Sequence, residues 1–214
     1  ETQYLMERFG VKELLIEDEN FTLHKNLLRE FCLKIINSNK KISWSFPSGV
    51  RLETLNRDNV RLMEEAGCYS MALGIEFGSQ RIHDLTKKRL NIDLIRDKVD
   101  LLSKTRIKTT GFFLFGIPGE TREDMLATIK LSLKLGIDRA QFNNFMPLPG
   151  SELWEYLVKN NKLGSINWET FFVHDVAFTP AGVSKTQIKK LQRLAYIRFY
   201  LRPRIIYNIL SEIR

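Results

Sequence analysis

Carboxylates, an arginine, asparagines and a glycine-rich turn recur in this chain in one kind of place, just after a short apolar run. Glu17, Asp18 and Asn20 follow Val11 to Ile16, and Arg51 lies just beyond Ile42 to Phe46 and its exit Pro47-Ser48-Gly49. Glu76 follows Tyr69 to Ile75; Gly116, Ile117, Pro118 and Gly119 follow Phe112 to Phe115; Asn143 and Asn144 end the run that starts at Arg139. Short apolar runs of this kind read as strands buried on both faces, and in α/β folds ligands sit at the C-terminal ends of such strands. Carboxylates at Glu17 and Asp18 can hold an ammonium group or a metal ion, while Asp18 or Asn20 can equally make a turn or cap the next helix. Arg51 can clamp a carboxylate with two prongs or simply stand on the surface. A carboxylate at Glu76, leaving a buried strand, is costly without a partner, and ribose hydroxyls would be suitable ones. The glycine turn lets backbone approach a flat or phosphorylated ligand, or is only a turn. Asn143 and Asn144 carry donors and acceptors that serve a ligand or close a loop.

Other reactive types are poorly placed. His24, His83 and His174 lie in different segments, without ligand spacing and without a serine or cysteine partner for a nucleophile, so surface or supporting positions are expected. Cys32 and Cys68 have no CxxC spacing and exclude a four-cysteine metal site within this chain. They read as buried small hydrophobes in a reducing compartment, which points to the cytoplasm.

The elements that must position these residues recur about every thirty residues. Five apolar runs (11–16, 42–46, 69–75, 107–115 and 139–145) alternate with helical patterns at about 25–38, 59–66, 80–85, 92–102 and 123–135. Each helix is long enough for a right-handed crossover, so a parallel sheet is expected. A doubly wound sheet would gather its polar residues at one switch point. Here every strand end has them, which favours a parallel (β/α) barrel. Thr121 with Asp124, and Ser184 with Gln187, read as capping boxes. Residues 1–160 form the expected barrel portion and 161–214 a C-terminal helical extension, beginning with the aromatic, irregular stretch Leu163–Thr179 that holds Trp168, Phe171, Phe172 and His174.

At 214 residues and 43% hydrophobic content the chain can bury a sizeable core. No run approaches the ~20 apolar residues of a membrane span and nothing at the start reads as a signal peptide. Glu1 leads straight into a helical pattern, as in a chain that starts inside a larger protein. The net charge of +8 is uneven: residues 184–214 hold eight lysines and arginines against one acid, Glu212, and so carry +7 of it. Ile188, Leu191, Ala195 and Phe199 share one face of that helix. The segment either packs over the barrel with a solvated basic face, or meets nucleic acid or an anionic membrane surface as a non-catalytic module would.

The stretches Gly74-Ile-Glu-Phe-Gly-Ser-Gln80 and Gly111-Phe-Phe-Leu-Phe-Gly-Ile-Pro-Gly-Glu-Thr121 resemble the radical S-adenosylmethionine (SAM) enzymes. Ile16-Glu-Asp-Glu-Asn-Phe-Thr22, Glu65-Ala-Gly-Cys68, Met146-Pro-Leu-Pro-Gly150 and Phe199-Tyr-Leu-Arg-Pro203 fit the same branch, which often carries a cobalamin-binding domain and includes anaerobic magnesium-protoporphyrin ester cyclases. The similarity covers nearly the whole chain. It implies a partial (β/α)6 barrel whose strand ends hold SAM beside a [4Fe–4S] cluster. Glu17, Asp18 and Asn20 would then lie near the methionine amino group, Arg51 near its carboxylate and Glu76 near the ribose, with Gly116, Ile117, Pro118 and Asn143 at the adenosine. The resemblance further implies an electron passed from the cluster to SAM and a 5′-deoxyadenosyl radical that abstracts hydrogen, in an oxidative cyclase or a methyltransferase. Flavodoxin or ferredoxin would be the electron donor, the substrate small or tetrapyrrole-like, and cobalamin a further cofactor on a separate domain; nucleic acid is not an expected partner. The family's CxxxCxxC cluster loop is absent and only five of its six strands are visible. The expectation is a chain that begins after the first strand and that loop, and that by itself neither binds the cluster nor reacts. An ordinary TIM-type lyase or aldolase lacks its strand-end lysine or metal-ligand set here.

Overall fold

The computed structural model describes residues 1–18, 20–38, 41–88, 90–163, 168, 172 and 174–212. Five strands, β1 (Glu13–Leu15), β2 (Ser43–Val50), β3 (Cys68–Glu76), β4 (Lys108–Phe115) and β5 (Arg139–Asn144), lie side by side in chain order in one parallel sheet. Glu13 stands opposite Ser43, and Trp44 opposite Cys68, both in parallel register. Strand order that follows chain order is what repeated same-handed crossovers produce; a doubly wound sheet would reverse its order partway. The connecting helices are α1 (Thr2–Phe9), α2 (Lys25–Ile36), α3 (Arg57–Glu65), α4 (Gln80–Leu85), α5 (Ile92–Ser103) and α6 (Arg122–Lys134); α7 (Glu152–Lys159), α8 (Lys185–Tyr200) and α9 (Pro203–Glu212) follow β5. Among the described residues, no helix is long and apolar enough to cross a membrane.

Helix ends follow local chemistry. Gly10 closes α1 with a left-handed φ of 65°, as glycine readily does. The expected box at α8 is present: Gln187 N–H donates to Ser184 Oγ at 3.3 Å, and Ser184 N–H to Gln187 Oε1 at 2.8 Å. Asn56 and Asn59 form another at α3. The second strand departs from expectation. It runs on to Val50 through Pro47, with the register slipping between Phe46 (opposite Met71) and Val50 (opposite Leu73). Pro47 has no N–H for the ladder, and an irregularity of this kind is where a strand tolerates one. The first strand is shorter than the apolar run around it.

The chain divides into two compact units, residues 1–75, 90–112 and 135–139 in one and 76–89, 113–134 and 140–214 in the other. In the first, the fully buried Trp44 meets Phe31 and Phe46 edge-on, each at 5.3 Å, and its indole N–H donates to the Ala66 carbonyl at 2.8 Å. Helix α2 packs on α3, burying Leu28 and Cys32 beside Val60 and Met63. In the second, Phe142 stacks against Phe113 at 5.1 Å and Phe115 at 5.9 Å. Helix α8 buries Ile188, Leu191, Ala195 and Phe199, the face its spacing predicts.

Helix α8 also covers the free edge of the sheet. β5 is a terminal strand, whose backbone groups would otherwise lack partners. The Tyr200 hydroxyl donates to the Ala140 carbonyl at 2.8 Å and accepts from Ala140 N–H at 3.2 Å. Tyr196 Oη accepts from Phe142 N–H at 3.1 Å, and Gln192 Nε2 donates to the Phe142 carbonyl at 2.7 Å. Three side chains one helical turn apart thus stand in for a neighbouring strand. Removing both hydroxyls, as Tyr196→Phe with Tyr200→Phe, should cost about 2 kcal/mol because buried backbone groups lose partners. A lower urea midpoint with unchanged helical dichroism is the expected reading.

Candidate functional site

In the first unit, Glu17 leaves β1 and accepts a hydrogen bond from the Ser48 hydroxyl. Ser48 lies in the irregular end of β2, and the sequence reading did not single it out. Asp18 turns inward on its own chain: its Oδ1 accepts from Asn20 N–H at 2.9 Å and its carbonyl from Phe21 N–H at 3.2 Å. That is the turn reading of this residue. The Asn20 side chain makes no cap hydrogen bond to the short 3-10 turn it precedes. Arg51 places Nε and Nη2 on Glu53 Oε1 at 2.8 and 2.7 Å, with its guanidinium half-exposed. Its charge is therefore shared with a neighbour two residues on.

In the second unit, Glu76 ends β3 with φ at 66°, a left-handed conformation that non-glycine residues seldom adopt outside functional sites and turns. Its half-buried carboxylate pairs with Lys88 Nζ. Gly78 locks this exit. A Cβ there would sit 2.3 Å from the Ala127 carbonyl oxygen, and Gly78 N–H donates to Thr128 Oγ1 at 2.9 Å, so only glycine lets the chain lie this close to α6.

The start of α6 is a carboxylate hub. The expected Thr121–Asp124 box forms: Thr121 N–H and Oγ1 donate to Asp124 Oδ2 at 3.0 and 2.7 Å, and Asp124 N–H to Thr121 Oγ1 at 3.3 Å. Ser79 Oγ donates to Oδ1 at 2.6 Å, Arg81 pairs with Oδ2, and Arg81 also reaches the Gly119 carbonyl at 2.9 Å. Desolvation pushes the Asp124 carboxyl upward, but the donors from Arg81, Ser79 and Thr121 outweigh it and hold it below the usual range.

Glu120, four residues away, has the opposite balance. It is 1% exposed, and its Oε2 accepts from Gly116 N–H at 2.5 Å and Ile117 N–H at 3.2 Å while Oε1 is buried without a partner. Burial pushes its carboxyl up to about 7, opposed by those two N–H groups. Two donors of the Gly116–Gly119 turn, the N–H groups of Gly116 and Ile117, are therefore already taken from within. What the turn offers a ligand is its outer surface and carbonyls, with Gly116 and Gly119 both at positive φ. The signal for Glu120 was an acid directly after Gly-Ile-Pro-Gly, which the sequence reading left out of the site.

The two asparagines of β5 part company. Asn144 Nδ2 donates to the His174 carbonyl and to Gln192 Oε1, both at 3.2 Å, and so closes the loop. Oδ1 of Asn143 is buried without a partner, as is Oδ1 of Asn144, so the two differ in the amide nitrogen that Asn144 commits to the loop. His83 is a core residue, Nε2 lying 3.0 Å from the Phe77 carbonyl, and burial lowers its pKa. His24 and His174 are exposed. Glu19, Phe171 and Arg214 lie outside the described residues.

SAM and the cluster meet this donor set differently. An orphaned buried amide oxygen at Asn143 and a carboxylate held at positive φ at Glu76 suit a nucleoside's amino and hydroxyl groups. The cluster finds no ligands. Both cysteines are buried and unpaired, burial pushes each thiol up to about 12, and no group of three or more His, Cys, Asp or Glu among the described residues could hold a metal ion.

Glu120 makes stability depend on pH. With a folded value of about 7 against 4.5 for a free glutamate, the folded chain keeps a proton that the unfolded chain has released. Its contribution is full below about pH 4.5 and disappears as pH rises through 7, a loss of about 3 kcal/mol. Urea unfolding of the wild type should weaken between pH 5 and 8, and Glu120→Gln should flatten that slope.

The Radical SAM superfamily model matches residues 1–132. The uncharacterized methyltransferase PH0819 of Pyrococcus horikoshii is 37% identical over 212 residues, 99% of this chain and 46% of that protein. The anaerobic magnesium-protoporphyrin IX monomethyl ester cyclase of Rubrivivax gelatinosus is 24% identical over 94% of this chain and 36% of its own length. Among solved structures, the radical SAM methyltransferase TsrM of Kitasatospora setae, with cobalamin and a [4Fe-4S] cluster bound, superposes with a TM-score of 0.65 at 16% identity, covering 86% of this chain and 38% of that one. The chain thus spans less than half the length of these relatives. A parallel sheet in chain order, polar groups at each strand end and a family match over most of the chain agree: the chain belongs to the radical SAM superfamily, whose cofactors are SAM and a [4Fe–4S] cluster.

Proposed function

We propose that this chain is the SAM-binding portion of a radical SAM methyltransferase. Its carrying observation is the pair of groups at the second unit's strand ends, Glu76 held at φ 66° and Asn143 with a buried, unpartnered Oδ1. Glu76 would accept from ribose hydroxyls in exchange for part of its pairing with Lys88. Asn143, with the outer surface of Gly116, Ile117 and Pro118, would orient the adenosine. Glu120 holds that turn in shape from beneath. In the first unit, taken by itself, Glu17, Asp18 and Asn20 offer acceptors for an ammonium group, and Arg51, in competition with Glu53, a cation for a carboxylate. Bound SAM supplies a sulfonium methyl group and a 5′-carbon from which a radical can be released. With two buried cysteines and no cluster ligand set, residues 1–214 by themselves would bind SAM without turnover.

Methyl transfer is favoured by two of the relatives, PH0819 and TsrM, both described as methyltransferases. Oxidative cyclisation is the second reading and rests on the Rubrivivax cyclase. That relative also supports a tetrapyrrole-like substrate, with another small molecule as the alternative. TsrM, solved with cobalamin bound, supports cobalamin as a further cofactor, and a separate domain would carry it. A flavodoxin or ferredoxin would deliver electrons, and the two reduced, buried cysteines suit a cytoplasmic setting.

Calorimetric titration of the 214-residue chain with SAM should show binding. Asn143→Ala and Glu76→Gln should each weaken it about tenfold, one buried hydrogen bond apiece, at unchanged melting temperature. Equal affinity in all three proteins would sink the assignment. In the full-length protein, label from the SAM methyl group appearing on a corrinoid supports methyl transfer, whereas 5′-deoxyadenosine without methyl transfer supports the cyclase reading.

A further inference from the structure

Helices α8 and α9 turn an unusual surface outward. Opposite the buried face of α8 stand Lys190, Arg193, Ile197 and Leu201, the last at its C-terminus and 67% exposed. On α9 Ile205 is buried, while Ile206, Tyr207 and Leu210, at the spacing of a single helical face, are exposed, Tyr207 by 73%. A helix on a protein surface ordinarily turns its apolar stripe inward; α9 turns most of its own away. The charged groups from Ser184 to Ser211 are all basic. Lys185 and Lys189 share Asp175, at 3.5 and 2.8 Å, while Lys190, Arg193 and Arg198 are exposed and make no ion pair among the described residues. No acid occurs from Ser184 to Ser211.

We infer that α8 and α9 form a docking surface for an anionic phospholipid membrane, lying in the headgroup plane with Leu201, Ile206, Tyr207 and Leu210 dipped toward the acyl boundary. Exposed apolar side chains interleaved with lysine and arginine are what such an interface takes up, and tyrosine suits its depth. Competing occupants fit less well. A symmetric contact between two copies would bring two segments of +7 together. Nucleic acid would use the basic residues but leave the leucines and isoleucines unsatisfied. The inner face of α8 is engaged with β5, so docking leaves the sheet intact.

Flotation of the 214-residue chain with vesicles tests this, comparing phosphatidylcholine alone with phosphatidylcholine mixed with phosphatidylglycerol. The expected result is binding to the mixed vesicles, at least about tenfold weaker to the neutral ones and reduced by salt. Charge reversal at Lys190→Glu with Arg193→Glu should lower partitioning roughly a hundredfold. Leu201→Asp with Leu210→Asp should do likewise, with circular dichroism confirming that both variants are folded. No flotation with either vesicle, or equal flotation of wild type and variants, overturns the inference. A dimer in sedimentation that Leu210→Asp dissolves, or tight RNA binding without flotation, assigns the surface to another partner.

Discussion

A buried carboxylate beneath a glycine turn is the constraint on which the second unit's strand ends depend. Without Glu120, the N–H groups of Gly116 and Ile117 would be donors with no acceptor as β4 gives way to the turn. Two N–H dipoles only partly offset the solvation lost by a carboxylate that is 1% exposed, so its proton affinity rises. Asp124 lies one helical turn further on and stays ionised, because an arginine, a serine and a threonine all donate to it. The difference between these carboxylates is one of partners, since both lie close to the start of the same helix. Together they shape the turn from inside and leave its outer surface for a ligand.

The same economy of faces governs the C-terminal helices. A sheet that stops at β5 leaves an unpaired edge, and α8 closes it with tyrosine and glutamine side chains. That duty occupies one side of α8 and leaves the opposite side, with α9, free for an external surface. The basic residues concentrate there because the inner side is committed to aromatic and aliphatic packing around Phe142.

Much of the fold was legible in the residues. Five apolar runs became five strands, and the boxes at Thr121 and Ser184 formed because capping involves groups only three residues apart. The buried face of α8 followed from its spacing. The extension of β2 was not legible, because Pro47 reads as a stop until β3 is present to set the slipped register. Nor could the asparagine pair be separated. Asn143 and Asn144 are chemically identical, and only the arrival of His174 and Gln192 engages the amide nitrogen of Asn144 and makes it a loop fastener, while Oδ1 of both stays without a partner. His83, read as a surface or supporting residue, is packed in the core against Phe77.

The sequence by itself determined the family and the alternation of strand and helix, and it shows no CxxxCxxC motif. These are properties of local spacing and residue type, which survive without coordinates. Only the tertiary structure decided which polar groups are spent on the protein and which remain. Ser48 meets Glu17 across 31 residues, Thr128 meets Gly78 across 50, and Tyr200 meets Ala140 across 60. Hydrogen-bond partners so distant in the chain are chosen by packing, as for Asn144, whose amide nitrogen reaches His174 and Gln192 across 30 and 48 residues.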